Sequence, residues 1–380
     1  MRYIVAVEGT VKTDQFLPRG TSDADTVKLD ISQGAIYYGK FDSEELTETR
    51  IFEGAYALVE NKKEPLISKK RIVDVRLQGI DAAELHLPVK IEGANTVHFR
   101  QYFGKTATVK LLKLLGGPGR VLPCQIWSYV DSPGDLFDAY GRLIGDAFID
   151  IDEKTTVHIN SWLVEKGLVV PTFYASMLFE EIDYLLSLSS RAHSRRLGLW
   201  PYLTDRVKRS ELKLTFRYSD RTYDPRADLG PVLFPKVFRR AANWMRALQT
   251  GSIDRATTFR DYLISEPPVV FAFLSDFLNY GPYAAIPRYY LEDAVTPGGI
   301  VKISPLDVIF FEQLSRIFDQ NDIEIKSFED DLIGLLHTVG RQVQRTRNPR
   351  TNISMTKLAK TKKLGELKNK NEIYRSIRGK

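Results

Sequence analysis

The chain has 380 residues, 43% hydrophobic and 27% charged, with 25 Gly and 18 Pro, a globular composition that excludes collagen, coiled coil and wholesale disorder. No apolar run reaches the roughly 18 residues that cross a bilayer; PPVVFAFLSDFL at 267–278 is broken by Asp and Pro, so no membrane partner is expected. The net charge of +6 conceals an asymmetry, because residues 341–380 hold 13 Lys or Arg against Glu366 and Glu372, a distribution that points the tail at a polyanion.

At about 150 residues per domain the length suits two domains and an appendage. A single cysteine, Cys124, can form neither an intrachain disulfide nor a thiolate metal cage. With no apolar leader at the N-terminus, a reducing, cytoplasmic setting is expected.

In chain order, residues 1–150 read as β-rich. VRLQGID (75–81), VLPCQIW (121–127) and RLIGDAFID (142–150) cluster β-branched residues between Gly, Pro and Asp turns. TATVKLLKLL (106–115) ends at Gly116 and Gly117 and predicts a helix with a glycine stop. Between Leu29 and Arg71, alternating pieces such as AIYYGKF and IFEGAYALVE predict one extended β-hairpin inserted at about 30–70. From 156 the period becomes helical: NSWLVEKGL stops at Gly167, and FEEIDYLLSLSSRAHSRRLG runs to the GLWP stop at 198–201. LKLTFRY (212–218) is strand-like and a Pro/Asp/Gly loop follows to 231. Residues 233–345 predict mainly helices, including LFPKVFRRAANWMRAL, VVFAFLSDFL, PLDVIFFEQLSRIF and FEDDLIGLLHTVGRQVQR. Beyond about 346 the chain is basic and poor in large apolar groups, the composition of a tail that stays unfolded when free.

Three short segments concentrate what a phosphodiester-cleaving site needs. DADTVKLD puts Asp23 and Asp25 on a strand or its edge, VRLQGIDAAEL carries Arg76, Asp81 and Glu84, and DAYGRLIGD carries Asp138, Tyr140 and Arg142. A hard divalent cation takes oxygen ligands such as Asp25, Asp81 and the backbone near Ala82, while two arginines can hold phosphate oxygens as charge grows in the transition state. The histidines show no paired metal spacing and read as surface or core groups. Trp162, Trp200 and Trp244 read as core, GGPG (116–119) as a turn, and Cys124 as a small buried hydrophobe.

These segments, in this order, resemble the staphylococcal nuclease (thermonuclease-like) family, with its D-G-D-T-V, Arg-strand, G-x-D-x-P-E and D-x-Y-G-R patterns. NSWLVEKGLVVPTFY, the helix after it and RRLGLWP extend the likeness over roughly residues 1–202. The resemblance implies an α+β chain with an OB-like five-stranded β-barrel and flanking helices over 1–203. A mainly α-helical domain over 204–345 and a basic tail over 346–380 follow. It implies an endonuclease that hydrolyses DNA, with RNA as a second substrate, using Ca2+ or another divalent cation and leaving 3′-phosphate ends. Asp25, Asp81 and the Ala82 carbonyl match the calcium ligands, Glu84 the general base, and Arg76 and Arg142 the phosphate clamp. Tyr140 lies beside the phosphate, Phe173 or Tyr174 falls at the base-stacking position, and Asp23 and Asp138 support the site. Ala24 stands where the family has Gly, and Ala82 and Ala83 where it has Thr and Pro. A carbonyl ligand survives that side-chain change. The alternative is a non-catalytic nucleic-acid-binding or scaffold protein on the same domain, with 204–345 receiving a protein partner or a second copy.

If the tail tethers nucleic acid, deleting residues 346–380 flattens the dependence of log K on log salt by about 0.7 to 0.9 for each phosphate that the tail neutralises. Single-turnover cleavage at saturating substrate stays unchanged. Identical slopes for full and truncated chains remove nucleic acid from the tail's partners.

Overall fold

Alternation of inward apolar and outward polar residues sets the first strands. In β2 (Thr26–Asp30) Val27 and Leu29 are buried and Lys28 is exposed, and in β3 (Ile72–Leu77) Val73 and Val75 are buried and Asp74 is exposed. The computed structural model describes residues 2–17, 19–41, 45–209, 212, 231–281, 285–311, 315–328 and 353–354. Five strands close a barrel. β1 (Tyr3–Lys12) pairs antiparallel along its whole length with β4 (Val121–Val130), and β4 pairs antiparallel with β5 (Leu143–Asp150). β5 lies parallel to β3, β3 antiparallel to β2, and β2 returns to β1 through Thr10 and Val11. Closure leaves no open edge among the five.

The expected single hairpin at 30–70 is instead two. Ile36–Lys40 pairs with Glu45–Thr49 and also extends onto β1, while Tyr56–Val59 pairs with Lys62–Pro65. The turn residues Glu60 and Asn61 both have positive φ, so the second reversal closes at its own tight turn. Helix α1 (Gly104–Leu114) ends at Gly116 and Gly117 as expected, and α2 (Ile159–Glu165) stops before Gly167. Helix α3 (Phe179–Ser194) buries Ile182, Leu185, Leu188 and Ala192.

Beyond residue 203 the described residues form helices together with short strands. Helices α4 (Pro235–Thr250), α5 (Phe259–Ser265) and α6 (Leu274–Tyr280) form where the sequence predicts helix. VVFAF and DVIFF instead pair as strands, Phe271 opposite Phe310, because β-branched and aromatic residues pack well on a pleated surface and short apolar runs carry no decisive period. Val308–Phe310 also lies parallel to Phe173–Tyr174, and Ile317–Phe318 pairs with Tyr56–Val59. One buried apolar cluster thus runs from Tyr3 to Phe328. The segments 213–230 and 329–352, and the tail beyond 354, lie outside the described residues.

The β3 turn depends on Gly79, at φ +74°, where a Cβ would lie 2.5 Å from Leu185 Cδ1 and 2.7 Å from Met177 Cε. Gly79→Ala therefore lowers stability by about 1–3 kcal/mol in urea denaturation, through left-handed strain and the clash together. Gly79→Asn, which tolerates the backbone angle but not the clash, does no better; a variant as stable as the parent contradicts this account.

Candidate active site on the barrel rim

The geometry of β3 and the strand after it assembles the centre. Arg76 breaks the alternation of β3 and is nevertheless only 9% exposed. It donates through Nη2 to Asp81 Oδ1 and to the Ile80 carbonyl, and stands 3.7 Å from Asp25 Oδ2. The Thr26–Arg76 register places Asp25 alongside, where its Oδ2 accepts from Ala82 N at 2.8 Å. Asp23 Oδ1 accepts from Leu85 N at 3.2 Å. Glu84 is fixed through its backbone, its N–H donating to Gln101 Oε1 at 2.9 Å and its carbonyl accepting from Gln101 N at 2.8 Å. Asp23, Asp25, Arg76, Asp81, Ala82 and Glu84 are thereby brought together and buried, or nearly so.

A third basic group enters from outside this set. Arg239 of α4 donates from Nε to Glu84 Oε1 and from Nη2 to Asp81 Oδ1, the latter at 2.7 Å, with its side chain 32% exposed. Gln101, itself fully buried, holds the helix there by donating to the Leu233 carbonyl at 2.7 Å. One turn before Arg239, Lys236 Nζ sits 4.7 Å from the ring centres of Tyr174 and Phe310. Neither Gln101 nor α4 is visible in the motif pattern; the only local signal is a helix whose polar face is arginine and lysine.

Charge and burial set the titration of the cluster. Burial pushes Asp81 up, but Arg239, Arg76 and Lys236 outweigh it and hold the carboxyl well below its ordinary value. For Glu84 burial prevails: despite Arg239, desolvation with Asp81 and Asp25 nearby raises it. Asp23 is raised well above its ordinary value, first by burial and then by Glu84 and Asp25.

The second loop stands apart from this knot. Asp138 accepts from Tyr140 N and Arg142 N through Oδ1 at 2.9 and 3.0 Å, and from Arg142 Nε through Oδ2 at 2.8 Å. Its carbonyl accepts from Ser315 Oγ. Arg142 lies one residue before the Leu143–Val75 pair, its guanidinium held by Asp138 and 5.5 Å from the exposed Tyr140 ring. Trp200 and Trp244 are core, as expected, whereas Trp162 is half-buried, and burial pushes the Cys124 thiol up.

A closed five-stranded barrel of the OB type, flanked by helices and carrying acids and an arginine on the same edge, defines a nuclease-type fold. Residues 74–202 match the family described as Staphylococcal nuclease homologue, and this part of the chain is a domain of that kind; the region after it matches no family. No curated protein matches the chain. The match begins at Asp74, so β1 and β2, with Asp23 and Asp25, join the domain through backbone pairing rather than through the matched segment.

The donor set suits a hard divalent cation. Asp81 Oδ2 is buried without a hydrogen-bond partner, and four carboxylates outnumber Arg76, Arg239 and Lys236 in charge, a surplus that hard oxygen ligands share with such an ion. Among the described residues no three acid, His or Cys side chains stand close enough to hold a metal as placed, and Arg239 bridges Asp81 and Glu84 instead.

The raised Asp23 carboxyl fixes a pH dependence. Its proton binds the folded chain more tightly than the unfolded chain, so stability increases as pH falls through the elevated value toward the ordinary one. In EDTA, Asp23→Asn is more thermostable than the parent at alkaline pH, and the gap narrows steadily as pH is lowered. A gap independent of pH assigns the burden elsewhere.

Proposed function

We propose that the chain is a divalent-cation-dependent phosphodiesterase acting on nucleic acid, with calcium as the cation and DNA or RNA as substrate. The observation that carries this is the convergence of Asp23, Asp25, Arg76, Asp81 and Glu84 at one end of the barrel, with a buried Asp81 oxygen that has no partner. When bound, the cation polarises a phosphate oxygen and lowers the charge barrier to attack. Asp25, Asp81 and the Ala82 carbonyl would hold it.

Glu84 takes the proton from the attacking water, whose oxygen forms the new bond to phosphorus as one ester bond breaks. Arg76, immobilised by two carboxylates, presents a fixed guanidinium to the charge that develops on the phosphate. Arg142, aligned by Asp138, supplies the second guanidinium from its own loop, and Tyr140 and Tyr174 border the strand's path. With a doubly charged cation added, the basic groups exceed the four acids by one, the charge of a phosphodiester. Arg239 leaves Glu84 Oε1 before that oxygen can accept a proton.

That same contact favours a second reading, in which the rim binds nucleic acid without cutting it. Degradation of plasmid DNA or RNA by the full chain in calcium, with EDTA as control, separates the two. Glu84→Gln lowers single-turnover cleavage by on the order of 10² to 10⁴, the range of general base catalysis, while binding persists. Asp25→Ala raises the half-saturating calcium concentration more than it weakens DNA binding. Wild-type cleavage by Glu84→Gln removes Glu84 from the role of base, and an unmoved calcium requirement in Asp25→Ala places the cation elsewhere.

A further inference from the structure

Helix α4 carries Lys236, Arg239, Asn243 and Arg246 at spacings of three, four and three residues, which align them in one stripe about 15 Å long. The opposite face buries Val237, Phe238, Ala241, Trp244 and Ala247, so the stripe's direction is fixed by the core. Its three cationic side chains meet different partners. Lys236 stands over Tyr174 and Phe310, Arg239 reaches Glu84 and Asp81, and Arg246 donates from Nη2 to the Asn95 carbonyl at 2.6 Å. Arg246 Nε is buried with no partner. A line of positive charge therefore leaves the carboxylate cluster along α4 toward the turn at Asn95, and among the described residues Arg246 meets a backbone carbonyl rather than a carboxylate.

We propose that this stripe is the track on which the nucleic-acid backbone lies, so that the region after residue 203 forms one wall of the binding cleft. The occupant follows from charge and length. A strand presents one negative charge per about 3.4 Å of axis in duplex form, so about four phosphates span the stripe, with Lys236 and Arg239 near one end, Arg246 at the other and Asn243 between them as a neutral donor. Tyr174, half-buried beneath Lys236, places an aromatic ring at the end of the stripe nearer the rim, backed by the buried Phe310. The inference rests on the nucleic-acid reading of the rim and extends it to a helix outside the matched domain.

The test is binding of a short fluorescent single-stranded DNA by the full chain in excess EDTA, followed by anisotropy across a salt series. Arg239, engaged by the acids when no metal is present, is left intact. Lys236→Gln with Arg246→Gln weakens binding at low salt by on the order of tenfold and reduces the slope of log K against log salt by roughly 1.4, about 0.7 per phosphate contact on a single strand. The exposed barrel lysines provide the control: Lys70→Gln with Lys154→Gln leaves the slope unchanged. Lys236→Arg with Arg246→Lys keeps the charge and restores the slope, which a purely structural role for these side chains does not allow. An unchanged slope in the Gln pair, an equal change in the control pair, or no restoration by the charge-preserving pair overturns the track. A reduced slope in a chain that never cleaves DNA in calcium overturns the hydrolase reading and keeps the track. Cleavage with an unaltered slope does the reverse.

Discussion

A fully buried carboxylate held between two guanidinium groups organises this molecule. Removing Asp81 from water costs several kcal/mol unless its charge is met inside the protein, and both Arg76, from the same barrel segment, and Arg239, from 158 residues further on, meet it. The first pairing fixes the turn after β3. The second ties that turn to α4, so the barrel and the later region share an electrostatic knot as well as a continuous apolar core. A chain cut after the matched domain would leave Asp81 Oδ1 with one donor and Glu84 Oε1 with none from α4.

The same knot defines a tension between stability and chemistry. The base proposed at Glu84 would need a free lone pair and room for water, yet Glu84 Oε1 is taken by Arg239. Four acids packed within one rim repel one another, and the consequence is visible in Asp23 and Glu84, whose carboxyls are both held above their ordinary values by burial and by their neighbours. Arg239 relieves part of that surplus by meeting Asp81 and Glu84 together.

Around this centre the region after residue 203 grips the barrel at several separate points. Ser315 donates to the Asp138 carbonyl, Ile317–Phe318 extends the Tyr56–Val59 hairpin, and Val308–Phe310 lies beside Phe173–Tyr174. Phe328 is fully buried against Tyr3, Tyr38 and Phe52. The Ser315 contact and the Val308–Phe310 pairing touch segments that carry candidate site residues, so the later region braces the Asp138 loop and the Tyr174 strand. Asp138 itself orders Tyr140 and Arg142 by local hydrogen bonds.

The residues of the rim were legible in the chain because their spacing is local. Arg76, Asp81 and Glu84 fall within nine residues, Asp138 and Arg142 within five, and alternation on β2 and β3 fixes which side chains face inward. Helices with a clear period and a glycine stop, such as α1 and α3, were equally readable. Where the sequence held only short apolar runs, VVFAF and DVIFF, it could not distinguish helix from strand, since pairing of Phe271 with Phe310 depends on a neighbour 39 residues away. Arg239 escaped for the same reason: an arginine on a helix face is ordinary until the fold sets it against a buried carboxylate. Local order along the chain supplied the acids, arginines and barrel strands, and long-range packing alone decided which cation they meet, because charge compensation in a buried site is a property of distance in space and not of distance in sequence.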